Sequence, residues 1–163
     1  MILLAIDPGP EQSAWVLYNT DAGAPLTWSK QPNQEVLAEL CQYAHTADEC
    51  ALEMIASYGM AVGAEVFETC LFIGRCQEAW MREHVGELPL LIYRREVKLH
   101  LCGSPRAKDP NIRQALIDRY GGKEQAIGRK ASPGPLYGLS GDGWAALAVA
   151  VTAAETRALE AAA

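Results

Sequence analysis

The chain begins with a run of apolar residues that ends at a carboxylate. Residues 1–6 read M-I-L-L-A-I, and Asp7 follows immediately before the break P-G-P at residues 8–10. A strand that is apolar on both faces belongs inside a sheet that is covered on both sides. We therefore expect a central strand over residues 1–7, with Asp7 at its end.

The rest of the chain alternates between strand-like and helix-like patterns. The patterns predict further strands over residues 13–18, 26–29, 50–55 and 88–93, and helices over residues 33–45, 61–83, 95–101, 110–120 and 142–162. Asn33 is expected to cap the first helix, and residues 128–141 are expected to form a loop. This order predicts an α/β fold with a five-stranded mixed sheet and helices on both faces. A length of 163 residues suits a single domain spanning residues 1–163.

The longest predicted helix, residues 61–83, carries more apolar surface than a sheet alone would cover. One face is expected to hold Val62, Val66, Cys70, Ile73 and Trp80, with Phe67 and Leu71 beside it. A second subunit is one candidate for the additional contact.

Composition excludes several classes of protein. Asp7 interrupts the apolar start too early for a signal peptide, and no apolar run approaches the roughly 18 residues of a membrane span. The five cysteines are an odd number without a C-x-x-C pair, which favours reduced, buried thiols over a disulfide framework or a zinc ribbon. These features predict a soluble, cytoplasmic protein with no membrane partner.

The net charge of −6 is unevenly distributed along the chain. Residues 94–130 hold ten of the 14 basic residues and four acidic ones, a net of +6, so the remainder carries −12. A basic region on an acidic body can bind polyanionic phosphate, although a solvated pair of helices would have the same composition. If this region binds a nucleic acid, the residues expected to contact its phosphates are Lys98, Arg106, Lys108, Arg113, Arg129 and Lys130.

Three carboxylates occupy unusual positions. Asp7 ends the first strand, where an ordinary turn role is the alternative, and Glu53 lies within the apolar run C-A-L-E-M-I, where turn chemistry offers no explanation. Asp142 begins the last predicted helix, where it would otherwise be an N-cap. If the three converge at one edge of the sheet, their repulsion calls for a divalent cation, Mg²⁺ or Mn²⁺. Two such ions about 4 Å apart could activate water for phosphodiester hydrolysis.

Several motifs occur in a recognisable order: L-A-I-D-P-G-P at residues 4–10, A-L-E-M-I at 51–55, V-K-L-H-L-C-G at 97–103, R-A-K at 106–108 and G-D-G-W-A-A-L-A-V-A-V at 141–151. Together they resemble the RuvC family of Holliday-junction resolvases, especially its phage-type members, within the ribonuclease-H-like superfamily. The resemblance implies a ribonuclease-H-like fold, a homodimer, two metal ions per active site and symmetric nicking of four-way DNA junctions.

The resemblance also assigns residues. Asp7, Glu53 and Asp142 match three metal-binding, catalytic carboxylates of the family, and Lys108 falls at the position of a functionally important lysine. The fourth family carboxylate falls on Ala145, which cannot bind metal. On this basis the sequence predicts a magnesium-dependent crossover junction endodeoxyribonuclease whose partner is branched DNA.

Three other readings compete with this prediction. A sugar-kinase or actin-like ATPase needs two lobes around a nucleotide, whereas 163 residues supply one lobe and no P-loop pattern, so no nucleotide cofactor is expected. A catalytically weak junction-binding protein is suggested by Ala145. Another ribonuclease-H-like nuclease, acting on flaps or RNA/DNA hybrids, would share the same chemistry.

Overall fold

The computed structural model describes residues 1–57, 59 and 61–162. Its main sheet has five strands in the order β3-β2-β1-β4-β5, so the first strand lies at the centre. β1 pairs antiparallel with β2 and parallel with β4, β3 adds antiparallel to β2, and β5 adds parallel to β4. The five strands are β1 (Ile2–Asp7), β2 (Gln12–Asn19), β3 (Ala24–Pro32), β4 (Glu49–Met54) and β5 (Leu90–Tyr93). The predicted α/β fold with a five-stranded mixed sheet is confirmed.

The helices lie on both faces of this sheet. They are α1 (Asn33–Tyr43), α2 (Ala64–Glu83), α3 (Arg94–Cys102), α4 (Asp109–Arg119), α5 (Lys123–Ala126) and α6 (Gly143–Ala161). A small hairpin, β6 (Gly128–Arg129) with β7 (Ser132–Pro133), precedes α6. Over the part of the chain that the structure describes, no helix is long and apolar enough to cross a membrane.

Alternation along β1 divides the core into two layers. Leu3 and Ala5 pack with apolar side chains of α3, α4 and α6, whereas Leu4 and Ile6 pack with those of α1 and α2. All four side chains are almost fully buried, which removes apolar surface from water on both sides of the strand. The apolar start of the chain is therefore the centre of the sheet, as its pattern predicts.

Asn33 does not cap the first helix as predicted. It is the first residue of α1, and its side chain accepts a hydrogen bond from the Ser13 hydroxyl at 2.6 Å and donates to the Gly9 and Pro10 carbonyls. The side-chain amide of Asn33 holds the turn after β1 and makes no hydrogen bond to the N-terminus of α1. This tertiary role follows from the β1–β2 connection, which lies some 20 residues away in sequence.

The buried face of α2 also differs from the prediction. Its buried side chains are Thr69, Phe72, Ile73, Cys76 and Trp80. Cys70, which was assigned to the same face as Ile73, is exposed, because the helix presents residues 69, 72, 73, 76 and 80 to the sheet. Cys41 is exposed as well, so the cysteines are not uniformly buried.

The predicted loop at residues 128–141 contains the β6–β7 hairpin. A Cβ on Gly134 would lie 2.2 Å from the Gln125 carbonyl oxygen, and a Cβ on Gly128 would lie 2.3 Å from the Ser132 carbonyl oxygen. Both positions require glycine because another stretch of backbone passes too close for a Cβ. At Gly128 that stretch belongs to the hairpin itself, and at Gly134 it belongs to α5. The exposed tip of the hairpin carries Arg129 and Lys130.

Candidate active site

The register of the sheet places Asp7 and Glu53 side by side. Ile6 of β1 pairs with Leu52 of the parallel strand β4, and the next residue of each strand is a carboxylate. Because neighbouring residues of a strand point to opposite faces, both carboxylates point away from the α1 and α2 layer that buries Ile6 and Leu52. They lie at the carboxyl ends of two central strands, the edge at which sites form in open α/β sheets.

Burial opposes ionisation of this pair. It raises the pKa of Asp7 to about 8, with further contributions from the charges of Glu53 and Asp142, while Arg94 acts in the opposite direction. Burial also raises the pKa of Glu53, again opposed by Arg94. The positive charge of Arg94 is therefore too little to stabilise both carboxylates as anions. A bound divalent cation would supply the missing positive charge.

Arg94 links the pair to a further acid. Its Nη1 donates to Oε2 of Glu53 at 3.2 Å, and its Nη2 donates to Oδ1 of Asp109. The position follows from the sheet, since Arg94 begins α3 directly after β5, and Ile92 of β5 pairs with Glu53. In the sequence, Arg94 stands out only as part of the basic segment. Its place at the end of the strand beside β4 was the signal that could have identified it.

Asp142 lies at the N-terminus of α6, near this pair but turned toward a different partner. Its Oδ2 accepts from Nζ of Lys30 at 2.6 Å, and its side chain makes no capping hydrogen bond. In the described ranges 1–57, 59 and 61–162, no three His, Cys, Asp or Glu side chains stand close enough together to hold one metal ion. The structure thus brings Asp7 and Glu53 into one pair and leaves Asp142 at its margin.

The residues present fit a hard divalent cation. Asp7 and Glu53 offer only oxygen ligands from a buried, destabilised pair, the donor chemistry that Mg²⁺ and Mn²⁺ favour. A contribution from Asp142 requires its carboxylate to leave Lys30. Ala145, one turn further along α6, is half-buried and offers no ligand.

A cleft of about 720 Å³ lies between α4 and the loop that precedes α6. Arg113 projects over the ring of Trp144 within it, with 4.7 Å from the guanidinium carbon to the ring centroid. Its walls include Asp109, the partner of Arg94, and Gly141, the neighbour of Asp142. Of the acids named above, Asp109 lines the cleft, whereas Asp7, Glu53 and Asp142 do not.

The remaining basic residues of the prediction lie on several elements. Lys98 is half-buried on α3, Arg106 is exposed in the loop between α3 and α4, and Lys108 directly precedes α4. Arg129 and Lys130 lie at the hairpin tip. Their assignment to DNA stays a prediction.

Comparison with known proteins establishes the fold. No protein-family model matches the chain, and no curated protein matches it in sequence. The solved structure of Thermus thermophilus RuvC is similar over 97% of this chain and 96% of its own, with a TM-score of 0.64 and 18% sequence identity. T. thermophilus RuvC in complex with a Holliday junction substrate is similar over the same shares, with a TM-score of 0.68 and 17% identity. The chain thus has the ribonuclease-H-like fold of RuvC, in agreement with the predicted fold class.

Proposed function

We propose that the chain is a RuvC-like, metal-dependent and structure-selective DNA endonuclease that resolves four-way junctions by paired nicks. The observation that carries the proposal is the Asp7 and Glu53 pair, which is buried at the carboxyl ends of β1 and β4 and destabilised as an anion. The similarity to RuvC extends over nearly the whole chain, and one of the similar structures contains a Holliday junction. The ordered motifs of the sequence support a phage-type member of the family.

In this proposal Asp7 and Glu53 hold a divalent cation, Mg²⁺ or Mn²⁺, and Asp142 joins them once its carboxylate is released from Lys30. Such ions supply a water of lowered pKa and stabilise the leaving oxygen in phosphodiester hydrolysis, and family resemblance implies two of them. The role of Arg94 is to position Glu53: its guanidinium fixes one carboxylate oxygen of that residue through the 3.2 Å contact.

The DNA is proposed to follow the basic segment. Arg113 is exposed in the cleft between α4 and the loop before α6, where its guanidinium could bind a phosphate, while the Trp144 ring beneath it is buried. Further phosphates would be neutralised by basic residues of the α3 to α4 region and of the hairpin tip. These are Lys98, Arg106, Lys108, Arg129 and Lys130.

A homodimer is part of the proposal, because a junction with two-fold symmetry needs two coordinated sites. α2 offers an apolar surface for it: Phe67 is 60% exposed and Leu71 is 71% exposed, on the side of the helix away from the sheet. Large apolar side chains grouped in this way commonly mark a protein contact.

The second candidate function is a junction-binding protein with little catalysis. Ala145 is the observation that favours it, since the family carboxylate is absent there. A binding protein would keep junction affinity without metal-dependent nicking.

The testing experiment compares substrates. Wild-type protein with Mg²⁺ is incubated with a synthetic four-way junction and with duplex, flap and RNA/DNA hybrid substrates of matched sequence. Symmetric paired nicks confined to the junction are expected. Preferential cutting of the flap or hybrid would assign another nuclease activity, and tight junction binding without nicks would favour the binding protein.

A further inference from the structure

Lys30 belongs to the same row of the sheet as the paired carboxylates. Ala14 of β2 pairs with Asp7 on one side and with Lys30 on the other, and Asp7 lies next to Glu53. Residues in one row point to the same face, so Lys30 lies on the face that carries Asp7 and Glu53. No sequence pattern points to Lys30, because its position beside the acids depends on the pairing of the edge strand β3.

The ammonium of Lys30 holds the third carboxylate. Its Nζ lies 2.6 Å from Oδ2 of Asp142, and the side chains are 43% and 52% exposed. An ion pair this accessible to water is weak and exchanges readily with other charged partners. Asp142 is thus neutralised by a residue of this chain, but reversibly.

The charges around the carboxylates match one divalent cation. The connected group contains four acids, Asp7, Glu53, Asp109 and Asp142, and the two cations Lys30 and Arg94. Their formal sum is −2 when all four acids are ionised, and a single divalent ion neutralises that charge. A second ion at Asp142 would compete with the ammonium of Lys30 for that carboxylate, since the two cations repel each other at this distance.

We propose that Lys30 is an intrinsic counter-ion that weakens metal binding at the second position in the DNA-free protein. This inference rests on the proposed function, because it assumes that Asp7 and Glu53 hold the first ion. A DNA phosphate near the site offers the ammonium another partner, and release of Asp142 then completes the second position. Lys30 acts through Asp142 and is therefore a positioning residue.

The test counts bound Mn²⁺ by isothermal titration and by electron paramagnetic resonance, without DNA. Wild-type protein is expected to bind one ion per chain. Lys30→Gln is expected to bind two, with the second at least about tenfold tighter than any second ion in the wild type. Lys30→Arg, which keeps the charge, should bind one. Lys123→Gln on α5 removes a similarly exposed lysine away from the carboxylates and should also bind one.

A double variant locates the second ion. Lys30→Gln combined with Asp142→Asn should return to one ion, because the released carboxylate is then missing. Circular dichroism checks the fold of each variant, and exposure of Lys30 makes its replacement compatible with folding.

The outcomes separate the two proposals. Two ions in the wild type, or one ion in a folded Lys30→Gln variant, would overturn the role of Lys30 and leave the proposed nuclease intact. Absence of Mn²⁺ binding in wild type and variant alike would contradict the metal-dependent function itself, and the role of Lys30 with it.

Discussion

At the scale of the residue, the ionisation of Asp7 couples the candidate site to the stability of the fold. Asp7 ionises near its ordinary value of 3.8 in the unfolded chain, whereas burial and the neighbouring carboxylates raise its pKa to about 8 in the folded chain. Between these values only the folded chain keeps the proton. Unfolding then releases it, so the contribution of Asp7 to stability falls as the pH rises from about 4 to about 8.

Asp7→Asn should therefore stabilise the metal-free protein, because the amide carries no charge to bury. The gain in free energy of unfolding should grow from pH 4 to pH 8 and reach the order of a few kcal/mol. Urea unfolding in EDTA at several pH values measures it, with Asp118→Asn as a control for an exposed carboxylate. Added Mn²⁺ should stabilise the wild type more than Asp7→Asn. A gain that does not change with pH would show that Asp7 ionises normally.

Ala145 provides a second residue-scale prediction. It follows Asp142 by one turn at the start of α6, so a carboxylate there would share the face of Asp142. Ala145→Asp should lower the Mg²⁺ concentration for half-maximal junction cleavage by about threefold to tenfold, because an additional charged ligand strengthens metal binding. Ala145→Asn is the uncharged control of equal size. An unchanged magnesium requirement in a folded Ala145→Asp variant would mean that residue 145 does not face the ions.

Sequence reasoning could identify the acids but not their partners. Asp7 and Glu53 stand out because a carboxylate at the end of, or within, an apolar strand needs compensation. Lys30 has no comparable signal, and the position of Arg94 directly after a strand becomes informative only once β5 is known to pair with β4. Asp142 forms an ion pair with Lys30, and the joint role of the three acids as metal ligands stays a prediction.

At the scale of the element, helix and strand types could be predicted, but their ends could not. Apolar periodicity identified the five main strands and all helices except the four-residue α5. Element ends depend on single hydrogen bonds, and Asn33 uses its side chain in the turn after β1 instead of in a cap. The β6–β7 hairpin was missed because it consists of two-residue strands within a glycine- and proline-rich stretch.

The exposed side of α2 provides the prediction at this scale. Leu71→Asp should convert a dimer to a monomer, because it places a charge within the apolar surface that Phe67 and Leu71 form. Sedimentation velocity at micromolar concentration measures the change. Leu159→Asp, at a similarly exposed leucine of α6, is the control and should leave the dimer intact. A wild-type monomer, with and without junction DNA, would remove the proposed contact.

At the scale of the whole molecule, positive charge is concentrated in the segment that holds the proposed DNA contacts. The basic segment at residues 94–130 forms α3, α4, α5 and the start of the hairpin, while the chain as a whole carries −6. The sequence could predict this asymmetry because it is a matter of counting. It could not predict that Arg113 of α4 would lie over Trp144 of α6, a contact between residues 31 positions apart in the chain.

The hairpin tip offers a test of the DNA path. Replacing Arg129 and Lys130 together by Ala should weaken binding to all DNA shapes and reduce the slope of log affinity against log salt by about one to two, because up to two fewer counterions are released. Fluorescence anisotropy with junction and duplex between low and moderate salt measures both effects. An unchanged slope would place the DNA on another surface.

The central claim is that Asp7 and Glu53 perform metal-dependent chemistry on junction DNA. It is tested most directly by measuring magnesium-dependent cleavage and binding of one four-way junction by the wild type, Asp7→Asn and Glu53→Gln. Both variants should lose cleavage by at least about 100-fold yet bind the junction with nearly wild-type affinity, since the carboxylates hold metal while basic residues supply the affinity. Nicking at a near-normal rate by either variant would contradict the account.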